Sequence, residues 1–324
     1  MPAPTPPPPT PFGPGLSKPR PTELIGTSTG SVRTGEPRDF SANHRWLSIN
    51  TATVRAQWPL DRIIDECAAR GIRAISPWRD QVAAIGLERV AARLRNTSIE
   101  LSGYCRGGMF PGVDAAARRA ALQDNRRAVD EAKTLNAACL VLVVGSLPGA
   151  LAGTPAHKDI AAARSDVRDG IAATLEYARE VGMPLAIEPL HPMYAADRAC
   201  VNTLEQALDL CDALDSGRTG ALGVAVDVYH VWWDPKLEAQ IARAGRDRLL
   251  AFHVCDWLVP TNDLLNDRGM MGDGVIDIPR IRAWVEAAGF AGYSEVEIFS
   301  AGNWWRRPGG EVLDTCIARH RIAV

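Results

Sequence analysis

A short apolar run followed by a stretch with helical spacing recurs about eight times between Trp46 and Val324, and this alternation restricts the fold more than any other feature. The apolar runs are "WLSIN", "AISPW", "IELSGYC", "CLVLVVGS", "PLAIEP", "GVAVDV", "LAFHVC" and "SEVEIF". Each is short and mostly apolar, as parallel strands covered on both faces are. Between them lie "LDRIIDECAAR", "LERVAARLRN", "NRRAVDEAKTL", "DGIAATLEYAREVG", "TLEQALDLCDAL", "LEAQIARAG" and "IPRIRAWVEAAG", amphipathic at helical period. Several close on glycine, as in "ARGI", "REVGMP" and "EAAGF", where a left-handed C-cap is expected. About eight such units in some 280 residues predict a closed (β/α)8 barrel, a TIM barrel. An open doubly wound sheet would announce itself by a glycine-rich phosphate loop, and neither GxGxxG nor GxxxxGK[ST] occurs. "GSLPGALAG" has the wrong spacing for either and reads as a loop after the fourth strand.

Residues 1–42 are expected to stand outside this domain. They open "MPAPTPPPPTPFGPGLSKPRP", too rich in proline and too poor in aliphatic residues to offset ordering entropy, so they read as a disordered tail ahead of a catalytic barrel at 43–324. The formal net charge of −2 offers no basic footprint for nucleic acid. No run reaches the length of a membrane span and no secretory signal pattern opens the chain, so a cytoplasmic protein is expected. Seven cysteines, scattered and without CxxC pairing, read as buried thiols, with Cys105 and Cys255 near strand ends as the exceptions to test.

Against this background the strand ends stand out. Glu188 ends the fifth strand, Asp227 the sixth, His253 lies late in the seventh and Glu297 late in the eighth. Catalytic residues of such barrels converge from the C-terminal ends of several strands. Any one of these four has an ordinary structural explanation, but four at corresponding places on adjacent strands point to a shared site. Three acids facing one mouth repel unless a cation neutralises them. Three oxygen donors and one imidazole favour Mn2+, with Mg2+, Co2+ or Zn2+ as alternatives.

With "AIEPL", "VDVYH", "FHVCDW", "RGMMGDG" and "EVEIF", the chain from about Trp46 onward resembles the xylose-isomerase-like TIM barrels, the sugar phosphate isomerase and epimerase superfamily. The resemblance implies that Glu188, Asp227, His253 and Glu297 bind a divalent metal and that Glu188 and Glu297 are also the catalytic acid–base pair. It implies substrate contacts from His230 and Arg268. Two departures fall on the substrate side: Tyr194 in "EPLHPMY" stands where the ketose 3-epimerase branch has a second glutamate, with His191 as an added polar group. The segment "VCDWLVPTNDLLND" is also longer than in compact epimerases.

The expected activity is that of a metal-dependent sugar isomerase or epimerase, abstracting a proton next to a carbonyl to form an enediolate. Alternatives are a lyase or dehydratase acting on a keto-sugar, inosose or 3-oxo-glycoside, an endonuclease IV-like repair enzyme, and a non-catalytic sugar-binding barrel. The repair reading needs more histidines than the six present, of which His44, His157 and His320 lie away from the strand ends. Trp257 is a candidate sugar-stacking residue, Trp304-Trp305 a candidate interface between copies in a homo-oligomer, and Arg79, Arg106 and Arg268 candidate phosphate partners. The expected partner is a small sugar or sugar derivative, with neither nucleic acid nor membrane.

Overall fold

The computed structural model describes residues 38–324 apart from Thr154 and His157, so most of the proline-rich tail and one of the six histidines lie outside the described residues. A parallel sheet closes into a barrel of eight staves. They are β1 (Leu47–Asn50), β2 (Ala74–Ser76), β3 in two segments (Glu100–Leu101 and Tyr104–Gly108), β4 (Leu140–Val143), β5 (Leu185–Glu188), β6 (Leu222–Asp227), β7 (Leu249–Val254) and β8 (Ser294–Val296). β1 pairs with β8, and a bridge from Trp78 to Cys105 joins the second stave to the outer segment of the third, which completes the ring.

Among the described residues, one helix of ten residues or more follows each stave: α1 (Leu60–Ala69), α2 (Leu87–Thr97, preceded by the short helix Arg79–Ile85), α3 (Ala115–Thr134), α4 (Ile160–Val181), α5 (Leu204–Leu214), α6 (Leu237–Arg248), α7 (Ile278–Ala287) and α8 (Gly309–Ala323). Short polar side chains accept otherwise unpaired backbone N–H groups at the starts of α3 (Asp114), α5 (Thr203) and α7 (Asp277). The glycines that close "ARGI", "REVGMP" and "EAAGF" have φ of +70°, +72° and +98°, as the C-cap reading requires. The eighth helix is an addition to the sequence reading, which found helical spacing only as far as Gly289.

Side-chain alternation along the staves decides what enters the barrel. In β5 to β7, Leu185, Ile187, Val224, Val226, Phe252 and Val254 belong to the large core between sheet and helices. The alternate residues Ala186, Ala225 and Ala251 form a separate small-residue cluster inside the ring with Cys105, Cys139 and Val141. One step further along each stave the same inward face carries Glu188, Asp227 and His253. Register finishes the alignment: Asp227 lies opposite His253, and Glu295, two residues before Glu297, lies opposite His253 from the other side.

Several expectations need correction here. The tail does not extend to residue 42, because Arg38 Nε bonds Glu286 Oε1 at 2.9 Å and Phe40 is buried, stacked on His320 with ring centroids 4.5 Å apart. All seven cysteines are free and buried, including Cys105 and Cys255. Trp304 packs into the chain's own core, and Trp305, half-buried, donates its Nε1–H to Ala52 O at 2.9 Å. No described helix is long and apolar enough to cross a membrane.

Candidate metal centre and substrate cavity

Glu188, Asp227, His253 and Glu297 meet at the C-terminal end of the barrel, with one potential ligand atom from each lying within 4.8 Å of the others. All four are buried. His253 Nδ1 is 2.8 Å from Glu188 Oε1 and 3.9 Å from Glu297 Oε2. Yet neither His253 nitrogen nor Glu188 Oε1 has a hydrogen bond of acceptable geometry. Buried polar atoms are rarely left so, and atoms aimed at one point without bonding one another suit a common partner. Three carboxylates and an imidazole are a donor set for a divalent cation, so the residues fit one.

The charge balance agrees. Burial, together with the neighbouring Glu188 and Asp227 charges, outweighs Arg268 and His253 and pushes Glu297 up to about 8. Burial alone would raise Asp227 as well, but Arg268, His230 and His253 hold it down to about 2. Burial pulls His253 down, and the acids Glu295, Glu188 and Glu297 more than reverse this, leaving it well above the usual histidine range. Within the chain itself, then, protons and one guanidinium offset the clustered acids.

A ring of supporting residues holds this group in place. Glu295 is buried beneath it, with Oε1 3.5 Å from His253 Nε2. Its carboxylate accepts from Asn50 Nδ2 at 2.8 Å and Ser102 Oγ at 2.7 Å. The same Asn50 amide donates to Glu297 Oε1 at 2.8 Å, while Trp78 Nε1 donates to Asn50 Oδ1 at 2.8 Å. A carboxylate behind the far nitrogen of a metal-binding histidine fixes the ring and raises its basicity. The signal was present in "SEVEIF", where two acids at i and i+2 share the inward face of one strand.

Arg268 and His230 stand beside the acids. Arg268 Nη1 donates to Asp227 Oδ2 and Glu297 Oε2, both at 3.0 Å, and its Nη2 is 3.2 Å from His230 Nε2. Asp227 caps the turn Val228–Val231 by accepting from Tyr229 N at 2.8 Å, which brings His230 round to the same side. The loop that carries Arg268 is organised by buried Asp256, whose carboxylate accepts from Trp257 N, Gly272 N and Ile276 N at 2.9, 2.9 and 3.0 Å. Gly274 has to be glycine, since a Cβ there would lie 2.1 Å from Trp257 O.

A cavity of about 200 Å³ opens above the acids. That is below the usual range of some 300–1,000 Å³ for drug-sized ligands and suits a small one. Glu188, Glu297, His230 and Arg268 line it, together with Trp78, Arg106, Tyr194, Arg198 and a wall of apolar side chains. His191 and Trp257, both expected at the substrate, are not among its described lining residues: their rings stack on each other at 4.9 Å, beside Tyr229 and Trp232. His191 donates its backbone N–H to His230 Nδ1 at 3.3 Å, and its own Nδ1 accepts from Met193 N at 3.2 Å.

Tyr194 and the long segment after β7 prove to be one device. The Tyr194 hydroxyl donates to Leu264 O, and Tyr229 OH reaches the same oxygen at 2.9 Å. Leu265, the next residue, lines the cavity. The tyrosine that replaces the expected glutamate therefore ties the extra loop down over the site.

The fold is a barrel whose mouth gathers a donor set that fits a divalent cation beside a small cavity. A family profile described as xylose isomerase-like TIM barrel matches residues 64–315, and the chain belongs to that family. A crystal structure of protein SMc04130 from Sinorhizobium meliloti 1021 is 60% identical, with a TM-score of 0.81 over 86% of this chain and 98% of that one. At 18% identity, the IOLI protein with a binding zinc atom gives 0.71 over 86% of this chain and 99% of the other. The 3-keto-D-glucoside 4-epimerase YcjR from E. coli, in its apo form, is 17% identical and gives 0.65 over 85% and 98%. Curated protein sequences include no match.

Proposed function

We propose that this protein is a divalent-metal-dependent sugar isomerase or epimerase, with Glu188, Asp227, His253 and Glu297 as the metal ligands. The observation that carries this reading is the gathering of the four donors beside a small cavity, with unpartnered atoms on Glu188 and His253. The sugar-acting name of the E. coli neighbour supports it. Mn2+ suits the oxygen-rich donor set best. Such a cation, when bound, acts as a Lewis acid on a carbonyl oxygen.

Glu188 and Glu297 come from β5 and the end of β8, on either side of the strands that supply Asp227 and His253. One glutamate removes a proton from the carbon next to the carbonyl and the other delivers one, a positioned transfer worth about 10²–10⁴ in rate. Arg268 and His230 face the same cavity and hold the oxygens on which negative charge develops. Tyr194 and Leu265 add to the cavity wall.

The test is incubation of Mn2+-loaded protein in D2O with keto-sugars, inososes and 3-oxo-glycosides, followed by NMR. Deuterium at the carbon next to the carbonyl, lost in Glu297→Gln by at least a hundredfold, is the expected outcome. Release of water or an aglycone would assign the lyase reaction instead, and binding without exchange would reduce the protein to a sugar-binding barrel.

A further inference from the structure

Three arginines near the strand ends could in principle take an anion, and the structure separates them. Arg79 is fully engaged, with Nε 2.7 Å from Glu131 Oε2 and Nη1 2.8 Å from Asp124 Oδ2. Arg268 is committed to Asp227 and Glu297. Arg106, in the outer segment of β3, has no hydrogen bond, ion pair or ring contact from its side chain among the described residues. It is nevertheless partly buried, and it lines both the cavity and an adjoining cleft of about 400 Å³.

A half-buried guanidinium that no protein group accepts from keeps its donor fork free for a ligand in the cavity. Burial draws Arg106 below the usual arginine range, and nearby Arg198 lowers it further while Cys105 and Glu188 act against this. Arg198 lines the same cavity, with Nε 2.8 Å from Asp197 Oδ2 and its guanidinium 5.3 Å from the centre of the Tyr194 ring. Two cations thus approach one cavity, and Arg106 forms no ion pair among the described residues.

The rest of the wall points the same way. Met109, Val143, Leu190, Leu265 and Phe299 are apolar and offer no side-chain hydrogen bonds to a row of hydroxyl groups. A neutral polyol would leave Arg106 unmatched, whereas a planar or tetrahedral anion would be gripped by its donor fork.

We propose that the substrate carries an anionic group, a carboxylate or a phosphate, and that Arg106, assisted by Arg198, selects for it. This deepens the isomerase or epimerase reading and rests on it for the sugar-like remainder of the ligand. The probes are D-fructose, D-fructuronate and D-fructose 6-phosphate, titrated calorimetrically into Mn2+-loaded wild type, Arg106→Met and Arg106→Lys, with thermal melts to verify folding.

Wild type is expected to bind a charged probe at least tenfold more tightly than D-fructose. The ratio should fall tenfold or more in Arg106→Met and be partly kept in Arg106→Lys. Which charged probe is preferred tells carboxylate from phosphate. Equal affinity for all three in wild type, or an unchanged ratio in a folded Arg106→Met, overturns the proposal. Deuterium exchange is scored separately. Charge preference without any exchange sinks the isomerase reading and leaves the anion site standing, whereas exchange without charge preference does the reverse.

Discussion

At the scale of single residues, the site is one layer of acids and imidazole resting on a second layer that orients it. Glu295 is the clearest case, buried at 1% exposure and facing the far nitrogen of His253. Glu295→Gln should weaken metal binding by about 10–100-fold, the usual effect of losing such a partner, in competition with a chelating dye. Asp227→Asn should leave less metal on the purified protein by elemental analysis, and full loading would remove Asp227 from the ligand set. The four donors could be read from the sequence because each ends or nearly ends an apolar run. Asn50 and Ser102 could not, since a polar residue in a strand has no visible address until the staves are placed side by side.

Among the elements, the closest interlock lies at the opposite end of the barrel. Arg248, at the end of α6, is fully buried, and its Nη1 donates to Asp215 Oδ2 and to Leu222 O, both at 2.7 Å. It pins the end of α5 to the start of β6. Removing one partner of a buried pair leaves the other charge uncompensated, so Asp215→Ala should cost about 3–5 kcal/mol in urea unfolding without moving the metal site. Burial alone would raise Asp215, but hydrogen bonds from Thr219, Arg179 and Arg248 outweigh it and the carboxyl sits below its ordinary 3.8. A depressed carboxyl contributes stability that is complete above the unfolded value and disappears as pH falls through the folded one. Acid unfolding of wild type should therefore steepen below about pH 4, a slope that Asp215→Ala flattens. The element order was legible as far as α7, because apolar runs and helical spacing are local. The tie between Tyr194 and Leu264 was not, since it joins residues 70 apart in sequence.

For the whole molecule, a resident cation should couple the site to global stability. Mn2+ at a hundred times its dissociation constant adds about 2.7 kcal/mol, or roughly 5 °C in melting temperature for a domain of this size. A chelator should reverse the shift, and Asp227→Asn should not show it. Calorimetric melts with and without EDTA read both outcomes. Stabilisation that survives in Asp227→Asn would place the cation elsewhere.

The sequence by itself determined the barrel and the residues at its mouth, because short apolar runs alternating with stretches of period 3.6 are written along the chain and a parallel barrel leaves its strand ends converging. Tertiary structure alone decided which neighbours have partners. Arg79 and Arg106 look alike in the sequence, and so do His191 and His230. Only packing gives Arg79 two carboxylates and leaves Arg106 with none, and only packing turns the His191 ring onto Trp257 while His230 faces the cavity. Partnership depends on distances between residues far apart in the chain, and those are set when the barrel closes.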